Sequence, residues 1–495
     1  MRYGLMLRAG IGVALAITPI SIAILQAAAD AQGSASAISE KDRREGAQAH
    51  PELLKEFGGA YSGSQVPYVT AVGKRIAVQS GLANSESAYT ITLLNSPVMN
   101  AFAIPGGYVY VTRQLMGLMN DEAELASVLG HEVGHVAARH SQKRSTRSTL
   151  GQLLSVGLGV LTGSSELMQI AGKASQLYTL SYSRSQEYQA DDLGIRYLAR
   201  AGYDPYAAAD MLASLERSTT LDSQIAGRDG DKETPSWARS HPLTADRVER
   251  ARRQAAASGV KQGQGVRNRD AFLNALDGTL YGDDPAQGVV DGRWFRHPGL
   301  KLQFQVPQGF ATDNGTDMVT IQGNGGQAQF AGGTLGTDGL SGYVDRVFRS
   351  LGGGNGQISH GTPQRGSIGG MEILSATARA NSNSGAVDVT VTAYRWATNR
   401  AFHFVTIVPA GRGIGPFAGM IDSLRRMSDS EAKAIRPRII DVVTVKPGDT
   451  MESLAGRMAY DDLKMDRFLV LNALTAKTAL RPGEKVKLVV YGSPH

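Results

Sequence analysis

The run His131-Glu132-Val133-Gly134-His135 sets two imidazoles four positions apart, with a carboxylate beside the first. On a helix that spacing stacks both rings one turn apart on the same face, where they can share one divalent cation. Glu132 lies about 100° round the helix from His131, close to where water would meet the metal. Zinc held this way lowers the pKa of water, and Glu132 has the reach to take the proton. The chemistry implied is zinc-assisted hydrolysis. An ordinary core or surface pair of histidines is the competing reading. The chain has nine His and no Cys. Any metal site must therefore use His and carboxylate, and disulfides, thiolate sites and cysteine nucleophiles are excluded.

The third ligand must come from elsewhere. A metzincin needs Gly and His where this chain has Ala138 and Ser141. His140 lies about 180° round the helix from His131 and reads as a packing or capping residue. A second helix supplies Glu187, four residues before Asp191. Glu187 would ligate, while Asp191 would accept the outer N–H of a ligand histidine and fix its tautomer. A solvated acidic face paired with Arg184 is the alternative. His241 precedes Pro242, which restricts it to extended geometry. That suits a loop leaning into a site. His241 is expected to approach the zinc, either as a fourth ligand in a resting state or as an oxyanion donor. A packing role is the alternative.

The elements must place these groups. Residues 121–143 read as a strong helix, with Asp121 and Glu124 resembling a capping box. Residues 150–203 look mostly helical, and another helix covers 206–217. Strands are expected at 89–94 and 108–112, the second entered by Pro105-Gly106-Gly107. Asn100, Ala101 and Phe102 are expected on a sheet edge near the zinc, where a substrate peptide could add main-chain hydrogen bonds. An internal strand is the alternative. Residues 148–165 are charge-free and glycine-rich. They read as a packed helix or flap over the site, or as a membrane-touching segment.

The pairing of the HExxH run with Ser183-Arg184-x-x-Glu187-x-x-Ala190-Asp191 resembles the HtpX/BepA-type gluzincin family. Asn100-Ala101-Phe102-Ala103-Ile104-Pro105-Gly106-Gly107 fits its pattern, as do Ser240-His241-Pro242, Asp246 and Arg247. The resemblance covers about residues 68–252. It implies one zinc per chain on His131, His135 and Glu187, endoproteolysis, and quality control of envelope proteins. HtpX-type members carry several membrane spans, and BepA-like members continue into helical repeats. Neither pattern follows here, so the soluble periplasmic branch fits better and the partner recognition of the repeats does not carry over.

Residues 1–31 combine Arg2 and Arg8 with an uncharged run closed by Ala29-Asp30-Ala31. This reads as a cleaved secretory signal peptide, with an uncleaved anchor as the alternative. The protease domain is expected over 32–253 and a linker region over 254–290, rich at its start in Ala, Gly, Ser and Gln. Residues 291–428 read as an α+β module of unknown role, with strands near 300–306 and 387–392 and helices near 342–351 and 416–427. It resembles the Mog/PsbP-like fold. Residues 441–491 resemble a LysM domain, a small βααβ unit carrying Val443-Thr444-Val445-Lys446-Pro447-Gly448-Asp449-Thr450 and a closing strand near 485–488. That family implies binding to N-acetylglucosamine-containing glycans such as peptidoglycan, with Asp449, Thr450 and Asn472 matching its pattern. A degenerate module used for protein contacts is the alternative.

The expected fold class is multidomain α+β: a mainly helical gluzincin core with a small sheet, the α+β module, and the LysM-like unit. Net charge is +6, without a basic block or aromatic-basic interleaving, so nucleic acid is not an expected partner. Expected partners are unfolded or misassembled envelope proteins, peptidoglycan and a peripheral membrane contact. The expected function is a periplasmic zinc endopeptidase tethered to the wall. A non-proteolytic wall-bound chaperone or scaffold and a zinc peptidoglycan hydrolase are its rivals.

Overall fold

The computed structural model describes residues 37–141, 182–225, 241, 246–351, 358–382 and 385–494. The expected signal peptide and the 148–165 segment lie outside them. Among the described residues no helix is long and apolar enough to cross a membrane.

The first domain carries helices α1 Glu40–Glu56, α2 Gln65–Ala77 and α3 Ser85–Ala88 ahead of three strands. Strands β1 Thr90–Leu94, β2 Ala101–Ile104 and β3 Tyr108–Thr112 form a sheet in the order β1-β3-β2. β3 is parallel to β1 and antiparallel to β2, which leaves β2 on an edge. Helices α4 Arg113–Leu118, α5 Glu122–Ala137, α6 Arg184–Arg200, α7 Ala207–Ile225, α8 Arg247–Ala257 and α9 Arg269–Leu276 follow.

The HExxH helix, α5, is buried from Glu122 through His135. A helix hidden on all faces sits at the centre of its domain. Asp121 starts it by accepting the Glu124 N–H at 2.9 Å. Glu124 accepts the Asn120 N–H at 2.8 Å, one residue earlier than a standard capping box. The helix stops well short of residue 143, because Arg139 turns into the left-handed region at φ 54°. This releases His140 from the helix.

α6 lies against α5 almost backbone to backbone. A Cβ added to Gly194 would stand 3.0 Å from the His131 nitrogen, and one on Gly134 would stand 3.1 Å from the Ala190 carbonyl. Only small residues permit that approach, and it brings a carboxylate on α6 within reach of both histidines.

The α+β module is built on seven antiparallel strands in the order β11-β12-β13-β14-β10-β9-β8. These are β8 Ala311–Asn314, β9 Met318–Gly323, β10 Gly326–Thr334, β11 Gln364–Ile368, β12 Met371–Ser382, β13 Gly385–Ala397 and β14 Arg400–Pro409. Helix α10 Gly339–Leu351 covers one face, burying Val344 and Phe348 in one cluster with Val389 and Val391. A second core, with Phe304, Phe330 and Phe404, lies among strands of this sheet, helix α11 Ala418–Ser423 and a small sheet. That small sheet runs β15-β7-β6-β5, formed by β5 Val289–Asp291, β6 Trp294–His297, β7 Leu302–Gln305 and β15 Arg425–Arg426. The expected second helix is short because residues 425–426 are drawn into this sheet.

After helix α12 Asp429–Ala434 comes the βααβ unit: β16 Arg438–Thr444, α13 Met451–Gly456, α14 Lys464–Leu471 and β17 Lys485–Tyr491. The expected linker before the α+β module differs from the sequence reading. Residues up to 257 belong to α8, whose Ala251 and Ala255 are packing positions rather than flexible spacers. The glycine-rich turn that follows is pinned to the first domain. Val266 N donates to Gly202 O at 2.9 Å, and Arg267 pairs with Asp121, Asp204 and Asp210. Further on, β4 Leu280–Tyr281 pairs with β16, making a three-stranded sheet β17-β16-β4. Nor is the C-terminal unit free on a tether. Its Leu454, Phe468 and Leu488 share one apolar cluster with Leu115, Met116 and Leu125 of the first domain.

Candidate metal centre

Four buried residues converge: His131, His135, Glu187 and His241, each offering one ligand atom, all within 4.8 Å of one another. His131 and His135 come from α5, Glu187 from the first turn of α6, and His241 from the chain preceding α8. The two imidazole Nε2 atoms lie 3.0 Å apart. Glu187 approaches them at 3.5 Å and 3.4 Å. The start of α6 is fixed by a reciprocal cap between Ser183 and Gln186, which sets where Glu187 projects.

Each ligand is held from behind. The His131 Nδ1–H donates to Asp191 Oδ1 at 2.9 Å, turning Nε2 toward the centre. His135 Nδ1 meets His140 Nδ1 at 2.8 Å, and His140 Nε2 lies 3.0 Å from Gln189 Oε1. Tyr182 stacks on the His135 ring, centroids 3.6 Å apart. Arg247, fully buried, donates to both Asp191 oxygens at 2.8 and 3.0 Å and lies 3.1 Å from Glu187. Burial alone would raise the Asp191 carboxyl, but Arg247 outweighs it and holds it at about 2. Burial likewise opposes ionisation of Glu187, yet the surrounding histidines, His241 foremost, keep its carboxyl well below the usual range.

Glu132 is wholly buried and neither of its oxygens has a hydrogen-bond partner. Its Oε1 lies 3.4 Å from His241 Nε2. Burial raises its carboxyl above the normal range, as a proton acceptor working near neutrality requires. Two histidines and a glutamate around one point, with an orphaned carboxylate beside them, are the donor set of a hydrolytic metal ion. The residues fit such an ion.

The other expected site residues are placed as follows. Asn100 is buried, its main chain bonded to Thr112 at 3.0 and 3.1 Å. Ala101 is buried, and Phe102 stacks on Tyr110 with centroids 4.8 Å apart. All three sit at or beside the edge strand β2. In the C-terminal unit, Asp449 accepts the Lys446 N–H at 2.7 Å and Thr450 caps α13 through the Ser453 N–H at 3.1 Å. Asn472 is buried, and its amide is held by Phe468 O, Lys487 O and Lys487 N, so it shapes the unit. Arg247, His140 and Tyr182 carry no site role in the sequence reading. Arg247 stands in the run noted beside His241, His140 appears there only as a packing residue, and Tyr182 has no periodic signal.

An HExxH helix joined by a glutamate from a second helix defines a gluzincin-type metallopeptidase site. Residues 64–255 match Peptidase family M48 and residues 443–489 match the LysM domain; the chain carries a domain of each. It is 29% identical over 211 residues to the mitochondrial metalloendopeptidase OMA1 of Schizosaccharomyces pombe, covering 42% of this chain and 59% of that protein. It is 31% identical to the beta-barrel assembly-enhancing protease of Escherichia coli strain K12, covering 38% of each. To the metalloprotease LoiP of the same organism it is 31% identical, covering 33% of this chain and 61% of that protein. The chain thus spans less than two thirds of the length of each. A cyanobacterial PsbP from Synechocystis sp. PCC 6803 aligns to 28% of this chain at 11% identity and a TM-score of 0.23, too slight a likeness to build on.

Proposed function

We propose that this chain is a zinc endopeptidase of the periplasm that degrades misfolded or unassembled envelope proteins and engages peptidoglycan through its LysM unit. The carrying observation is the buried cluster of His131, His135, Glu187 and His241 beside the orphaned carboxylate of Glu132. Zinc on His131, His135 and Glu187 would supply a Lewis acid and acidify water. Glu132 takes one proton from the attacking water as its oxygen bonds to the scissile carbonyl carbon. It then gives that proton to the departing amine as the C–N bond breaks. Asp191 and His140 keep the imidazoles oriented, and Arg247 fixes Glu187 and Asp191 together. The edge strand β2, next to α5, suits an extended peptide bound by its main chain, which favours unfolded substrates.

The deciding experiment offers unfolded casein and purified sacculi to the same preparation. Casein is cut, chelation with 1,10-phenanthroline stops the cutting, and about one zinc per chain restores it. Soluble muropeptides released from sacculi in place of casein fragments would make the chain a wall hydrolase, and digestion of neither would make it a scaffold.

His241 sits among the ligands: Nδ1 is 3.1 Å from Glu187 Oε1 and 3.2 Å from His131 Nε2. That position suits a resting-state cap on the metal. His241→Ala then raises casein turnover while zinc stays bound. A loss of about 10²–10³-fold would assign the residue to oxyanion stabilisation instead, and unchanged turnover would leave only a packing role.

A further inference from the structure

A second cleft opens between the α+β module and the C-terminal unit, away from the metal centre. Its volume is about 450 Å³, within the roughly 300–1,000 Å³ of ordinary small-molecule pockets. It therefore has room for a sugar-sized group. One wall carries Trp294 with Arg296 over its ring at 5.7 Å. The other carries Tyr491 with two guanidiniums beside it, Arg436 at 5.1 Å and Arg438 at 5.8 Å. Arg438 and Tyr491 face each other across the β16–β17 register.

The pairing state of these cations identifies the ligand. Arg296 is bonded to Asp291 at 2.7 Å and Arg425 to Glu431 at 2.6 Å, so those charges are internally matched. Arg436 and Arg438 make no ion pair among the described residues, and Arg438 Nε is buried without a hydrogen-bond partner. Two guanidiniums outside any ion pair, Arg438 lying between the Tyr460 and Tyr491 rings, call for carboxylate or phosphate. Aromatic faces on both walls call for a ring or sugar face. Asp291 and Glu431 supply acceptors for hydroxyl groups.

We propose that this cleft binds a carboxylate-bearing sugar within a glycan strand, as a subsite separate from the LysM unit's own contacts. The ligand's carboxylate takes the forks of Arg436 and Arg438, its sugar faces lie on Tyr491 and Trp294, and its hydroxyls donate to Asp291 and Glu431. The choice of a wall sugar as the acid rests on the peptidoglycan reading above.

The test uses the full chain and two disaccharides that differ by one lactyl carboxylate, N-acetylglucosaminyl-N-acetylmuramic acid and N,N′-diacetylchitobiose. The acidic sugar is expected to bind about tenfold tighter or more, the scale of a charge-assisted hydrogen bond. It should shift a tryptophan emission that Trp294→Phe removes. Arg436→Gln with Arg438→Gln should erase the difference and leave chitobiose binding unchanged. Equal affinities in the wild type, or a preference that survives the double substitution, overturn the subsite. So does poly-L-glutamate binding tighter than the acidic sugar through the same two arginines, which would make the cleft a polypeptide site. Chitobiose binding reports on the LysM reading by itself, so its failure alone leaves the cleft result standing.

Discussion

Glu132→Gln is expected to keep its zinc, fold normally and lose at least about 10²-fold of its proteolysis, the usual scale for a general base. One feature separates this residue from the ligands: both its oxygens lack hydrogen-bond partners. An amide of the same shape fits the same space and leaves His131, His135 and Glu187 as they were. Zinc content and thermal unfolding should match the wild type, while casein cleavage falls. His131→Ala and Glu187→Ala should instead lose the metal along with the activity. If Glu132→Gln turns over casein at near-normal rates, with contaminating protease excluded, the assignment of the base fails.

Much of this centre was legible because helix geometry is periodic. Four-residue spacing placed His131 over His135, and the same spacing placed Glu187 over Asp191, so the ligand set could be assembled from two helices. What periodicity does not encode is the approach of those helices. That approach depends on Gly130, Gly134 and Gly194, which look like weak helix formers when read singly, and on Ala190 facing Gly134. Arg247 and Tyr182 were unassigned for a related reason. Each meets the centre through a tertiary contact, without a partner at helical spacing. His140 read as a packing residue, and it does pack, but the left-handed Arg139 also aims it at His135.

The C-terminal unit is the LysM domain that the sequence indicated, but its seating on the first domain was not legible. Lys485-Val486-Lys487-Leu488 alternates charged and apolar residues, which in a half-buried strand puts lysines in water. Yet Val486 through Val489 are buried on both faces, because β17 lies between its own helices and the first domain. Composition likewise suggested a tether where the chain is bonded at Val266, Arg267 and β4. Asn472 was read as a sugar contact for its match to a family pattern, and burial gives it a folding role.

Removing residues 438–495 is therefore expected to destroy the protease, not merely release it from the wall. Lys487 is the reason to expect a large effect. Its side chain is fully buried and its Nζ donates to Gly117 O at 2.9 Å, Leu118 O at 3.2 Å and Met119 O at 2.5 Å. Those carbonyls close α4, immediately before the HExxH helix begins. Glu124 in the first turn of that helix feels the same lysine. Burial, with Asp121 adding to it, pushes the Glu124 carboxyl up to about 8, and burial drives the Lys487 ammonium well down. Burial thus opposes both charges, while the attraction between them favours both. Arg269 reinforces the joint by donating to Asn120 O at 2.8 Å and Lys485 O at 3.1 Å. Lys487→Met would strand the buried Gly117 and Met119 carbonyls, at about 1–3 kcal/mol for each left unsatisfied, while Leu118 O keeps the Asn120 amide. Some relaxation is expected, so a net loss of about 3 kcal/mol is reasonable. That corresponds to roughly 6–12 °C in Tm for a unit of this size. Truncation also exposes the faces of Met116, Leu118 and Met119, so the shortened chain should lose its cooperative transition, its zinc and its casein activity together. A truncated chain that melts at the wild-type temperature and cuts casein at the wild-type rate would show the LysM unit to be an appendage after all.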